Sequence, residues 1–313
     1  MSAARDRPRY TGVRTFAGLR HAPLGGDGAM GAGAAIVGIP FDTATSWRPG
    51  ARFGPEAIRS ASVLLRDWHP VHGVAALGDW AIDAGDVAVT PGNAARSAEQ
   101  VAAALGPLCA AGAVTIVLGG DHSVSLGELR AHASVRGPLA LLLLDAHADT
   151  WEDYYGERLF HGTVIRRACE EGLLDPAGCL IAGVRGSLYG PGDLDQARDL
   201  GIELLDVEQL RSLSAHEFAA AVRGRVGERP LFVGVDIDVA DPSAAPGTGT
   251  PEVGGLSSSE LIGLLRSLAG VSPVGFDVVE VSPPYDSPGQ ITSLLAANAA
   301  YEMLALTALA RAS

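Results

Sequence analysis

Apolar residues in this chain fall into short, near-continuous runs, with helically patterned stretches between them. The runs Ala34–Gly38, Thr115–Leu118, Leu139–Leu144, Leu180–Val184, Ile202–Asp206, Leu231–Val235 and Val274–Val279 predict strands. A strand that is apolar on both faces is buried on both, as in a parallel sheet covered by helices. The stretches Ala94–Ala110, Ser123–Ala133, Gly162–Glu171, Ala215–Val226 and Ser258–Leu268 predict helices, and Ile291–Ala310 a long closing one. Strand and helix in alternation imply right-handed crossovers, hence an α/β chain with one parallel sheet sandwiched by helices. Ligands of such sheets sit beyond the carboxyl ends of the strands. The residues that follow each run therefore carry the most information.

Three of those positions are rich in metal-ligand chemistry. Gly119-Gly120-Asp121-His122-Ser123 follows the second run, with glycines that permit a tight turn and His122 presented at the sheet edge; a helix cap by Asp121 or Ser123 is the plainer reading of the same residues. Asp145-Ala146-His147-Ala148-Asp149 follows four consecutive leucines. If the strand geometry persists, alternate residues share a face, so Asp145, His147 and Asp149 converge; the plainer reading is an acidic loop capping the next helix. Asp236-Ile237-Asp238 repeats the pattern. Carboxylates held together at a buried strand end repel one another, and a cation is the natural reason to assemble them. Four carboxylates with His122 and His147 balance two divalent ions, and ligands dominated by oxygen suit a hard metal such as manganese better than structural zinc. Two metals activating a shared water make hydrolytic chemistry.

Composition narrows the alternatives. A chain of 313 residues, 47% hydrophobic, can bury one large core. No internal repeat or linker divides it, so residues 1–33, rich in Gly, Pro and Arg, read as an irregular leader and residues 34–313 as a single domain. Gly26, Gly28 and Gly31 match a dinucleotide-binding pattern, but they precede the first strand instead of joining strand to helix. No apolar run is expected to approach the roughly 20 residues that span a bilayer. Met1–Tyr10, with Arg5, Arg7 and Arg9, has no secretory apolar core, so a cytoplasmic address is expected. A net charge of −13 argues against nucleic acid or anionic membrane as partner. Lysine is absent, which excludes Schiff-base and phosphate-loop lysine mechanisms. Cys109, Cys169 and Cys179 are too few and too irregularly spaced for a disulfide framework and read as structural thiols.

The three motifs, in this order and on these strands, resemble the ureohydrolases: arginase, agmatinase and their relatives. The likeness extends to Gly38–Asp42, Arg48–Pro55, Pro246–Pro251, Gly254-Gly255 and Glu280–Pro283, and so runs from about residue 34 to the C-terminus. It implies a three-layer α/β/α arginase-like fold with a central, mainly parallel eight-stranded sheet, assembled as a homo-oligomer, trimer or hexamer. It also implies two Mn2+ per subunit. His122, Asp145, Asp149 and Asp236 would hold one ion, and Asp145, His147, Asp236 and Asp238 the other. On the family pattern Asp149 passes a proton to the leaving amine, Glu280 orients a cationic guanidinium, and His161 shuttles protons.

The substrate is less legible. The loop Thr150–Phe160 resembles the agmatinase-type loop more than the small polar stretch of arginase, and it departs from many agmatinase-like chains at Trp151. Glu152 and Asp153 are candidates for a cationic tail, and Thr250 for fixing Glu280 or the substrate. Agmatine hydrolysis to putrescine and urea leads. The rivals are 4-guanidinobutyrate or guanidinopropionate hydrolysis and proclavaminate-type amidinohydrolysis, for which Trp151 and the Tyr154-Tyr155 pair would suit a reshaped pocket. Outside the guanidine hydrolases, an arginase-fold deacetylase would use one zinc and an adjacent histidine pair, which this chain lacks. An inactive metal-binding homologue would be expected to lose ligands, yet all six are present.

Overall fold

The computed structural model describes Pro8, residues 11–190 and residues 192–312; the rest of Met1–Tyr10, where a secretory core was sought, lies outside the described residues. In chain order the strands are β1 (Arg20–His21), β2 (Ala34–Gly38), β3 (Trp68–His69), β4 (Val74–Ala75), β5 (Ala81–Asp86), β6 (Val114–Leu118), β7 (Ala140–Leu144), β8 (Leu180–Val184), β9 (Glu203–Asp206), β10 (Leu231–Asp236) and β11 (Gly275–Val279). β3 and β4 make a separate antiparallel hairpin. The others form one nine-stranded sheet in the order β1-β5-β2-β6-β11-β10-β7-β8-β9, parallel throughout. Eight strands were expected. The stretch read as leader supplies β1, a two-residue edge strand on β5.

Alternate residues of the central strands serve opposite faces, as the pleat requires. Leu142, Leu144, Val233 and Val235 join one core cluster, while Leu141, Leu143 and Phe232 join another. The helices that cover these faces are α1 (Gly54–Ala61), α2 (Ala94–Ala110), α3 (Ser125–Arg136), α4 (Val164–Glu170), α5 (Asp195–Asp199), α6 (Val207–Ser212), α7 (Ala215–Val226), α8 (Ser258–Ser267) and α9 (Ile291–Ala312). On one face α2, α3 and α4 pack in succession, and on the other α1, α9, α8 and α7. Their starts follow from local chemistry. The Asn93 side chain caps α2, and Ser214 with Glu217 and Ser257 with Glu260 form reciprocal capping boxes on α7 and α8.

The expectation about apolar runs needs correcting at α9. Its 22 residues, with a mean hydropathy of 1.3 over the best window, suffice by length and composition to cross a bilayer, but 78% of that window is packed inside the protein. It is the core helix of one layer.

β6 and β7 are consecutive in the chain yet separated in the sheet by β11 and β10. Their following segments therefore diverge and leave a crevice at the carboxyl ends, the usual binding place in a parallel sheet. β6, β11, β10 and β7 are the four adjacent strands that end in Asp121-His122, Glu280, Asp236 and Asp145.

Candidate metal centre

Each metal-ligand motif turns off its strand by the same local device. The leading carboxylate accepts the backbone N–H two residues on: Asp121 Oδ1 from Ser123 at 3.1 Å, Asp145 Oδ1 from His147 at 2.6 Å, and Asp236 Oδ1 from Asp238 at 2.9 Å. Short acidic side chains favour this closure. The extended geometry anticipated through Asp149 does not persist. β7 stops at Leu144 and Asp149 adopts φ 50°, so the ligands converge through a bend. Glu280 also lies in the left-handed region, at φ 62°. Non-glycine residues there cost on the order of 1–3 kcal/mol, and such strain gathers at functional sites.

All six expected ligands come together. His122 Nδ1 stands 2.7 Å from Asp149 Oδ2, 3.4 Å from Asp145 Oδ2 and 3.6 Å from Asp236 Oδ2. His147 Nδ1 lies 3.0 Å from Asp238 Oδ2 and 3.6 Å from Asp145 Oδ1. Two overlapping groups result, His122–Asp145–Asp236 and Asp145–His147–Asp238, joined at Asp145. His122 Nδ1 and Asp145 Oδ2 are buried without a hydrogen-bond partner, as the donor atoms of an ion site would be. Burial, followed by repulsion from Asp238 and Asp145, pushes the Asp236 carboxyl well above its ordinary range. Burial opposes charge on His122, but the neighbouring Asp145 and Asp149 carboxylates outweigh that and raise it well above normal. Only positive charge allows four carboxylates to stay ionised here.

Close backbone approach is built in. A Cβ on Gly120 would lie 1.8 Å from the Phe41 carbonyl oxygen, and that carbonyl accepts the Asp121 amide at 2.8 Å. Asp121 itself points away from the ligands. Its Oδ2 accepts the Ala44 amide at 2.9 Å, and burial, with Glu280 nearby, pushes it up to about 7. Asp121 caps the short turn that begins at His122, and His122, one residue on, faces the acidic cluster.

Glu280 is 1% exposed. Its Oε1 accepts the His122 amide at 2.9 Å and faces His161 Nδ1 at 3.0 Å. Its Oε2 has no partner, and Gly249 leaves room beside it. On its other side, His161 Nε2 accepts the Ser46 amide at 3.1 Å and meets Ser46 Oγ at 2.9 Å. Burial opposes charge on His161, and Glu280, then Asp149 and Asp121, raise its pKa above the usual value. The Ser46 amide favours the neutral ring. Ser46 is a site residue that sequence reasoning missed; it lies in the Phe41–Pro55 stretch, whose motifs point to likeness and not to chemistry.

A cavity of about 420 Å³ rises from the ligands, lined among others by His147, Asp149, His161, Trp151, Thr250, Arg185, Tyr189, Asp193 and Glu252. Trp151 lies against Gly162 and stacks on Tyr154. Thr250 Oγ1 reaches Asp238 Oδ2 at 3.4 Å, so it neighbours a ligand and not Glu280. Glu152 and Asp153 line an adjoining open hollow with Trp151, Tyr154 and Tyr155 instead of the cavity itself. Besides Asp149 and Asp236, the cavity's acids are Asp193 and Glu252, and its arginine, Arg185, donates to the carbonyls of Gly183, Asp238, Ala240, Glu252 and Val253. These residues are scattered in sequence and carried no motif. The cysteines are free, and burial pushes their thiols up to about 11 for Cys109 and Cys169 and about 12 for Cys179, which leaves them inert near neutral pH.

Comparison with known proteins agrees with this geometry. A family model described as "Arginase family" matches residues 32–305. Proclavaminate amidinohydrolase of Streptomyces clavuligerus is 43% identical over 304 residues, which is 95% of this chain and 94% of that one. Mitochondrial agmatinase of Gallus gallus is 41% identical over 277 residues, 88% of this chain and 81% of that one. A solved structure of proclavaminate amidinohydrolase from Streptomyces clavuligerus superposes with a TM-score of 0.90 at 43% identity, covering 97% of this chain and all of that one.

Proposed function

Because the chain belongs to the arginase family, we propose that it cleaves agmatine to putrescine and urea with the help of two Mn2+ at the strand ends. It is a hydrolase of C–N bonds in linear amidines; substrate and metal are what the proposal adds. The observation that carries it is the convergence of three buried carboxylates, the half-buried Asp149 and two imidazoles on one cluster. His122, Asp145, Asp149 and Asp236 fit one ion, and Asp145, His147, Asp236 and Asp238 the other. The oxygen-rich donor set suits manganese. Such ions, when bound, would supply the positive charge that activates water and steadies negative charge on the attacking oxygen.

The chain's own residues do the rest. Glu280 Oε2, buried and free, is placed to accept a guanidinium N–H, while the His122 amide and His161 hold Oε1 in position. Asp149 lines the cavity, and burial, then Asp145, raises its pKa, which suits it to carry a proton to the leaving amine. His161, bridging Ser46 and Glu280, is placed to exchange protons with the cavity.

The amine tail is favoured by charge. Asp193 and Glu252 line the cavity and outnumber its one arginine, Arg185, whose N–H groups are turned to backbone carbonyls, so the fixed charge favours a cation over a carboxylate. Glu152 and Asp153, in the neighbouring hollow, add to the same field. A bulkier guanidine of the proclavaminate type is the second reading, favoured by the extent of the likeness and by the aromatic wall of Trp151 and Tyr189.

The test is urea release by the manganese-loaded protein from agmatine, 4-guanidinobutyrate, 3-guanidinopropionate, arginine and a bulky guanidine. Agmatine turned over fastest is the expected result. A carboxylate-tailed compound turned over faster would reverse the tail assignment, and unchanged kinetics in Trp151→Asn would remove the aromatic wall from the argument.

A further inference from the structure

Away from the strand ends, His69 closes β3 and His72 lies in the turn to β4, and that hairpin packs on α9. Their rings stack with centroids 4.6 Å apart and 20° between planes, which brings both Nε2 atoms to the Glu302 carboxylate on α9. His69 Nε2 lies 2.9 Å and His72 Nε2 3.8 Å from Glu302 Oε2. The three donor atoms lie within 4.8 Å of one another. The side chains of His69, His72 and Glu302 are 1%, 6% and 3% exposed. The His72 Nε2 is buried with no hydrogen-bond partner, an unpaired nitrogen aimed at a carboxylate.

We propose that His69, His72 and Glu302 form a third metal site, distinct from the paired centre, that takes one borderline divalent ion such as Zn2+ and fastens the β3–β4 hairpin to α9. Two imidazoles and one carboxylate are a ligand set that zinc accepts, with the fourth position left to water. Arg266, from α8, donates to Glu302 Oε1 at 2.8–2.9 Å, which turns Oε2 toward the histidines as an outer partner does in metal sites. The same arginine neutralises the carboxylate, so this site binds more weakly than the carboxylate-rich one. The His72 amide donates to His69 Nδ1 at 3.1 Å, which leaves the neutral ring's proton on Nε2. Loading through Nε2 moves that proton to Nδ1 at the expense of the amide bond.

The experiment adds Zn2+ to the manganese-loaded full chain, removes the excess by gel filtration and counts all metal by mass spectrometry. Thermal unfolding is followed with and without zinc. The wild type is expected to hold one more ion per chain than His72→Phe or Glu302→Gln, and zinc is expected to raise its Tm but not theirs. Counting total metal makes exchange at the paired centre irrelevant. Equal metal content in wild type and both variants, or the same zinc-induced Tm shift in all three, would overturn the proposal. If one variant fails to fold, the other decides.

Discussion

Glu280 is the residue in which geometry and chemistry are most tightly joined. Its left-handed backbone, at φ 62°, carries the side chain back over the His122 amide, so a carboxylate leaving an apolar strand ends between His122 and His161. One oxygen is spent on those neighbours and the other is unpartnered. Glu280→Gln preserves shape and removes the charge that a guanidinium would pair with. Losing one such oriented interaction typically costs about 10²–10³-fold in rate. We expect a fall of that order in kcat/KM for urea release with two ions per chain retained, read by kinetics and metal analysis together. Loss of metal instead would make Glu280 a support for the ligands, not a partner of the substrate.

Among the elements, the segment after β8 matters more than its sequence suggests. Arg185 donates to five backbone carbonyls, binding the 238–253 segment to the end of β8. Thr250, Glu252 and Asp238 all ride on that segment. Arg185→Met keeps much of the stem packing and removes the donors. Bonds to a charged group contribute about 1.5–3 kcal/mol, so the variant should lose roughly 2 kcal/mol in denaturant unfolding and show raised KM with a smaller change in kcat. An unchanged KM would mean that this segment does not shape the cavity. The same element shows where sequence reading stops. Buried parallel strands announce themselves by apolar runs, and the clustered carboxylates and histidines by motifs at their ends, so both were legible. β5 was not, because its Asp83 and Asp86 break the run; the structure pairs them with buried Arg59 at 2.8 Å and 2.6 Å. β1, two residues long, has no periodic signal, and α1, though amphipathic, spans only eight residues, too few to stand out. Ser46, Arg185, Asp193 and Glu252 reach the cavity by tertiary packing, which no local pattern encodes.

At the scale of the whole molecule, the acid side of the stability curve should carry the mark of one histidine. His132 on α3 is fully buried, with Nε2 2.8 Å from Thr115 Oγ1. Burial, helped by Arg136, pushes its pKa down to about 3. Unfolded, the ring takes a proton as pH falls below about 6.5; folded, it refuses until near 3. Its contribution is therefore intact above the unfolded value and lost as pH falls through that window, by about 1.4 kcal/mol per unit at most. Buried Asp121, Glu128 and Asp277 have raised pKa values and run the other way, favouring the fold as pH falls toward their unfolded values. The net curve mixes these signs, so a difference isolates the histidine. His132→Gln, compared with wild type at saturating manganese, should show a stability deficit near pH 8 that shrinks steadily between pH 6.5 and 4.5. A deficit independent of pH would mean that both states protonate His132 alike, and any acid sensitivity of the fold would then arise from other groups.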